Sequence, residues 1–279
     1  MATGGGGGGG DPNTDRVRIV AANLTSGNFQ SYDPGHGARI LAGLNADIVL
    51  IQEFNYQSNT MVALDSLTED ICEGTDCVWV RGAPAIGIPN GIISRFPILE
   101  SGSWPDPEVT NRDFTYARID VPGPTDLWAI SVHLLTSSAA DRAMEASSLV
   151  EELTPLPPGD FVVLGGDFNT DTRDEPALMT LGMVLTVGPL FPVDQALNGG
   201  TNEPRTKPYD WVLADTELES TAVPTVIGGS SFESGAVIDT RVFTPLSALS
   251  PAVLSDSGAP SMQHMAVVRD FALPLSEEP

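Results

Sequence analysis

The chain has 279 residues, a formal net charge of −24 and a single lysine, Lys207, among its 13 basic side chains. That length suits one large domain, because α/β and sandwich folds of roughly 200 to 250 residues can be single units. No apolar stretch reaches the roughly 20 residues that a membrane-spanning helix needs. The charge argues against tight general nucleic-acid binding in dilute buffer; it also fits a saline source, where roughly 1 M salt shrinks the screening length to about 3 Å.

Residues 1–15, MATGGGGGGGDPNTD, hold no basic segment followed by an apolar one, so no signal peptide is expected in them, a leader already removed being the alternative. The glycine tract predicts a flexible tether, either an expression scar or the spacer behind a lipidated cysteine. Residues 16–275 are expected to form one domain and 276–279 a tail. Short apolar runs predict strands at 17–24, 46–54, 78–83, 91–99, 114–121, 127–135, 161–168, 209–214 and 265–273. Helical spacing is confined to 36–45, parts of 58–70, and 138–153, where Ser138 is the candidate N-cap and Ala143, Met144, Ser147 and Val150 the candidate inner face. Residues 216–260, rich in Ser, Gly, Thr and Pro, predict a long loop excursion. Many strands with few helices imply an α/β (α+β) four-layer sandwich, two packed and mostly antiparallel sheets flanked by helices.

Cys72 and Cys77, the only cysteines, lie in the polar stretch EDICEGTDCVW. A disulfide there fits an oxidising compartment; two free thiols are the alternative, and no second Cys or His pair supports a metal site.

Several predicted strands end on polar groups that a core does not need: Asn23, Glu53, His133, Asp167 with Asn169, Asp210 and His264. Singly each has an ordinary explanation, such as a turn cap or a structural histidine. Glu53 is harder to dismiss, since an unpaired carboxylate at the edge of DIVLIQ would cost several kcal/mol, a cost that a divalent cation resolves. Strand ends converging at one edge would gather carboxylates, amides and two imidazoles, which is chemistry for phosphate ester hydrolysis with a hard ion.

The ordered set Asn23, QE at 52–53, NGIISRFPI at 90–98, NRDF at 111–114, SVHL at 131–134, GGDFN at 165–169, YDW at 209–211 and His264 resembles the endonuclease/exonuclease/phosphatase superfamily, the deoxyribonuclease I-like fold. The resemblance implies that Glu53 is the principal metal ligand, with Asn23 beside it. It further implies His264 as general base or phosphate contact, oriented by Asp210, and His133 as a hydrogen-bond partner of the scissile phosphate. Asp167 would position the water or leaving group, and Asn169 would contact the phosphate. Arg112 in NRDF resembles a family arginine, with a sheet-edge salt bridge as its alternative. Arg205 and Lys207, a local basic pair before Asp210, could meet a substrate phosphate.

The family usually ends in Ser-Asp-His, whereas this chain reads LSDSGAPSMQHMAV. Either Asp256 returns to the metal site across an inserted loop, or the neutral Gln263 takes the aspartate place. The expected activity is Mg²⁺- or Mn²⁺-dependent phosphodiester hydrolysis, with Ca²⁺ a further candidate, by a monomeric secreted, periplasmic or cell-surface endonuclease acting on DNA or RNA. Small phosphate esters, inositol phosphates or phospholipid headgroups are the alternative substrates. A catalytically inactive binding module is the alternative of another class.

Overall fold

Alternation along β1 (Thr14–Ala22) sets the plan of the fold. Val17, Ile19 and Ala21 point into a layer between two sheets, while Val20 and Ala22 point out toward helices. The computed structural model describes residues 13–27, 30–84 and 86–275. The tether expected over 1–15 and the tail at 276–279 lie largely or wholly outside those residues. β1 itself begins two residues before the expected boundary, where Thr14 pairs with Pro274.

After β1 come α1 (His36–Leu44), β2 (Ile48–Ile51), α2 (Met61–Ile71), β3 (Val78–Arg81) and β4 (Gly91–Ser94). Next are β5 (Ile98–Trp104), β6 (Phe114–Ile119), β7 (Leu127–His133), α3 (Ala139–Leu153), β8 (Phe161–Asp167) and α4 (Pro176–Leu181). The chain ends with β9 (Asp210–Ala214), α5 (Thr216–Glu219), β10 (Ala222–Val223), β11 (Thr225–Ile227), β12 (Ser230–Phe232), β13 (Ala236–Ile238) and β14 (Ala266–Pro274). One sheet has the order β10-β14-β1-β2-β4-β3, with β13 also on β14; the other runs β5-β6-β7-β8-β9. Only β1 with β2 and β7 with β8 pair in parallel within these sheets, so both are mixed but mostly antiparallel.

Three apolar layers follow from the alternation. Ile48, Leu50, Ile92, Ala117, Ala129, Val163 and Val267 fill the space between the sheets. Ile40, Leu41, Leu64 and Leu67 of α1 and α2 cover one outer face. Ala146, Leu149, Leu178 and Leu181 of α3 and α4 cover the other. The result is the four-layer sandwich expected from the sequence.

The sequence reading and the structure part at several places, each with a physical reason. The apolar run 91–99 is two strands in two different sheets, because Arg95 to Pro97 carry the chain across the sandwich. Residues 216–260 are not a bare loop: they hold α5, four strands of two or three residues and a 3-10 turn, all too short for periodicity to show. α4 has only six residues and starts on a proline, so it too left no periodic signal. In α3, Ser138 does cap the helix by accepting from the Asp141 amide at 3.2 Å. Its buried face, however, is Arg142, Glu145, Ala146, Leu149 and Leu153, and Met144 is exposed. Two charged residues hold inner positions because each is paired: Arg142 makes a two-pronged ion pair with Glu175 at 2.8 and 2.9 Å, and Glu145 accepts from the Leu135 amide.

Cys72 and Cys77 are bonded, and Cys72 caps the C-terminus of α2 within the core rather than in an exposed segment. The bond closes a loop only five positions long. Loop-closure entropy for so short a ring predicts that Cys72→Ser/Cys77→Ser loses about 2 kcal/mol of stability. Chemical denaturation of the variant and the parent checks this, and equal midpoints would refute it.

Candidate active site

The positions that fill the middle layer continue, at the same end of four strands, into polar groups. On β7 the series Leu127, Ala129 and Ser131 runs on to His133; on β8 Phe161, Val163 and Gly165 run on to Asp167; on β9 Asp210 precedes Val212 and Ala214. Register makes the three neighbours, since His133 lies opposite Asp167 and Asp167 opposite Asp210. From the facing sheet, Asn23 follows Ala21 in the same parity at the end of β1. Gly165 and Gly166 let this end of β8 come close: a Cβ on Gly165 would meet the Trp211 carbonyl oxygen at 2.7 Å and Leu50 Cδ1 at 2.8 Å.

The side chains form one contact network. Asn23 Nδ2 donates to Asp167 Oδ2 at 3.0 Å and to Glu53 Oε1 at 3.3 Å. His264 Nδ1 lies 3.0 Å from Asp210 Oδ2, and its Nε2 lies 3.3 Å from Asp167 Oδ2. His133 Nε2 is also 3.3 Å from that oxygen, and its Nδ1 is 3.8 Å from Glu53 Oε1. Asp167 Oδ1 accepts from the Asn169 amide at 2.9 Å, and Asn169 Nδ2 donates to the Leu134 carbonyl at 3.0 Å. Glu53 and Asn169 both adopt left-handed backbone, with φ of 51° and 52°. Non-glycine residues seldom do so unless their surroundings hold them there.

Burial and charge set the protonation states. Burial raises Glu53, Asp167 and Asp210, Asp167 to about 6, against the lowering effect of His264 on each. Burial alone would lower His264, but Asp167, Asp210 and Glu53 outweigh it and carry the imidazole to about 10. His133 is pushed well down, first by burial and then by the positive Arg112 and His264. At neutral pH one imidazole is therefore cationic and the other neutral.

Residues 11–245 match the sequence model of the Endonuclease/Exonuclease/phosphatase family. The chain belongs to this family. Its members hydrolyse phosphodiester bonds with divalent metal ions. No curated protein matches the chain. Among solved structures, the fold is similar to an endonuclease/exonuclease/phosphatase family protein from Bacteroides thetaiotaomicron, with 15% identity, TM-score 0.62 and coverage of 94% of this chain and 99% of that one. It is similar to D. rerio TDP2 complexed with single strand DNA product, at 15% identity and TM-score 0.58 over 92% and 98% of the two chains. It is also similar to beta toxin from Staphylococcus aureus, at 13% identity and TM-score 0.55 over 91% and 99%.

A pocket at this rim is lined by Glu53, Arg112, His133, Asp167, Asn169 and His264, among others. Arg112 enters as the sequence suggested, but without a sheet-edge salt bridge. Its guanidinium donates to the carbonyls of His133 and Leu134 and to Asn111 Oδ1. Two expected phosphate contacts are corrected. Arg205 is held between Asp194 and Asp239, at 2.9 Å from each, away from the site. Lys207 is ion-paired with Asp171 on the surface. Asp256 does not return to the metal site: it receives Arg39 and contacts His36 Nδ1 at 3.0 Å, anchoring the start of α1. Gln263, directly before His264, lines the pocket, and Asp256 does not.

Sequence reasoning missed Thr25 and Thr201, and it named Gln52 in the QE pair without its supporting contact. Thr25 Oγ1 donates to Glu53 Oε2 at 3.1 Å, and Gln52 Nε2 binds Ser131 Oγ at 2.9 Å across the sandwich. The Thr201 hydroxyl accepts from the Asp210 amide at 2.7 Å. Thr25 could have been found by alternation from Asn23; Thr201 sits in NGGTNEP, where no period points to it.

The donor set fits a hard cation. Glu53 and Asn23 offer oxygens, the buried Asn23 Oδ1 has no hydrogen-bond partner, and three buried carboxylates exceed the nearby positive charge. Asp167, Asp210 and His264 also present ligand atoms within 4.8 Å of one another. Both nitrogens of that imidazole already face carboxylates, so Glu53 with Asn23 is the better seat.

Beneath Arg112, Glu145 accepts from the Leu135 amide with both oxygens, at 3.0 and 2.9 Å. Burial first, and the neighbouring Asp106 after it, lift Glu145 from its ordinary 4.5 to about 8. A raised carboxyl contributes stability that is fully present below 4.5 and lost as pH rises through about 8. Glu145→Gln should therefore lose less stability than the parent across that window. Denaturation curves at several pH values check this, and parallel curves would count against it. Gly166→Ala tests the close approach of β8. Its φ is 140°, and a Cβ would lie 2.0 Å from the Val132 carbonyl oxygen and 2.8 Å from Gln52 Nε2. A loss of about 3 kcal/mol in unfolding free energy is expected, and a neutral substitution would contradict the geometry.

Proposed function

We propose that this chain hydrolyses phosphodiester bonds with Mg²⁺ or Mn²⁺ and that nucleic acid, DNA first, is its substrate. One observation carries the reading: Asp210, His264, Asp167, Asn23 and Glu53 form an unbroken path in which each lies within 3.3 Å of the next. Glu53 and Asn23 would hold the ion. When bound, it supplies neutralisation of charge on the phosphoryl and leaving oxygens.

The protein groups divide the proton work. Asp167, lifted to about 6, is ionised at neutral pH yet basic enough to take a proton from an attacking water. His264, held as a cation between Asp210 and Asp167, meets the negative charge that grows on the phosphoryl group. Asp210 fixes the ring through Nδ1. Neutral His133 faces the Asp167 carboxylate through Nε2 at 3.3 Å and lines the same pocket. Arg112, anchored by backbone carbonyls, presents positive charge to the same pocket. The complex of D. rerio TDP2 with single strand DNA product supports a nucleic-acid substrate by analogy of fold.

A second reading, a small phosphate ester, is favoured by the pairing of Arg205 and Lys207 with carboxylates, which leaves little positive charge to follow a polyanion. For location we propose the cell exterior or surface, supported by the bonded Cys72 and Cys77. A saline setting is supported by the net charge of −24.

Plasmid nicking and release of inorganic phosphate from small esters, measured side by side across a range of NaCl, decide between the two substrates. Activity should need Mg²⁺ or Mn²⁺, and Glu53→Gln and His264→Ala should each lower turnover by about 10³-fold or more. Undiminished cleavage in excess chelator would remove the metal, and absence of any turnover would leave only a binding module.

A further inference from the structure

A second cavity, lined in part by Asp210, has walls distinct from those of the reaction pocket. It has a volume of about 250 Å³ and opens between the free edge of β9 and the strands β10, β13 and β14 of the other sheet. Val212, Trp211, Val237, Val267 and Phe191 form apolar walls. Walls built from strands of both sheets cannot collapse inward without breaking their ladders. Dry apolar cavities of about 150 Å³ already admit benzene, so this one has room for a single ring with a short chain.

The charges around it are not equivalent. Arg269 is spent on Glu219, with contacts of 2.7 and 2.9 Å. Arg173, at the mouth and also lining the adjoining groove, stacks over the Phe191 ring at 4.7 Å and donates only to the Gly199 carbonyl. Among the described residues no carboxylate lies within ion-pair distance of it, in a chain where most arginines are so paired. Glu233 shares the mouth without pairing with Arg173. A guanidinium poised over an aromatic wall at the entrance of an apolar cavity is a seat for a carboxylate carried on an apolar body.

We infer that this cavity binds a small amphipathic carboxylate, with one ring or a short chain inside and its head group on Arg173. The two cavities have no lining residue in common, and Asp210, which contacts His264 of the reaction pocket, lines only this one.

Calorimetric titration of the full chain with 3-phenylpropionate, 3-phenylpropanol and 3-phenylpropylamine tests the inference without any assay of turnover. The acid should bind saturably, about tenfold more tightly than the alcohol, with the amine weakest. Arg173→Gln should erase the preference for the acid while leaving alcohol binding intact, and Glu233→Gln should strengthen the acid. Val237→Phe, a wall substitution, should weaken all three, and its thermal unfolding shows whether it remains folded. No heat of binding at millimolar ligand, an amine that binds most tightly, or an acid preference that survives Arg173→Gln would each overturn the inference.

Discussion

The fold depends on a shared register. β7, β8 and β9 are aligned so that His133, Asp167 and Asp210 stand opposite one another, each in the parity that elsewhere fills the apolar middle layer. A slip of one residue on β8 would turn Asp167 toward the α3 and α4 face and Phe168 toward the facing sheet. Hydrophobic burial thus fixes the site indirectly: the core cannot be satisfied in any register that scatters the polar ends. Gly165 and Gly166 extend the constraint across the sandwich, since they let β8 approach Leu50 and Gln52 closely.

Bringing three carboxylates to one buried rim is unfavourable on its own, and the site shows it in the upward shifts of Glu53, Asp167 and Asp210. The same excess of negative charge draws a proton onto His264, while burial first, and then Arg112 and His264, keep one off His133. Left-handed backbone at Glu53 and Asn169 adds local strain at the two positions where side chains must turn out of their strands. The packed layers behind the rim hold these unfavourable features in place.

Alternating apolar runs made the layers and most strands legible in the sequence, and a polar group closing such a run marked Asn23, Glu53, His133 and Asp167 before any coordinates. What escaped was whatever depends on partners far along the chain. The inner face of α3 was misread because Arg142 and Glu145 resemble solvent-facing charges until Glu175 and the Leu135 amide are seen against them. Asp256 kept the family dipeptide Ser-Asp, yet its partners Arg39 and His36 lie more than 200 positions away. Arg205 looked free beside Lys207 because nothing local reveals Asp194 and Asp239. Thr25, Gln52 and Thr201 carry no charge and act through one or two hydrogen bonds each, so composition gives them little weight.

That distribution of arginines bears on recognition. In a chain of net charge −24, pairs such as Arg18 with Asp270, Arg142 with Glu175 and Arg205 with Asp239 hold distant segments together. Basic side chains spent in this way are not available to a phosphate backbone. Within the reaction pocket the positive charge comes from Arg112 and His264, both buried and both fixed by other contacts. Such a pocket can grip one phosphoryl group firmly while the surrounding surface contributes little to affinity. Salt dependence of nucleic-acid binding scales with the number of phosphates neutralised, so few contacts mean a shallow dependence. On the proposed nucleic-acid reading, high ionic strength screens the repulsion from the acidic surface while leaving the buried contacts nearly intact.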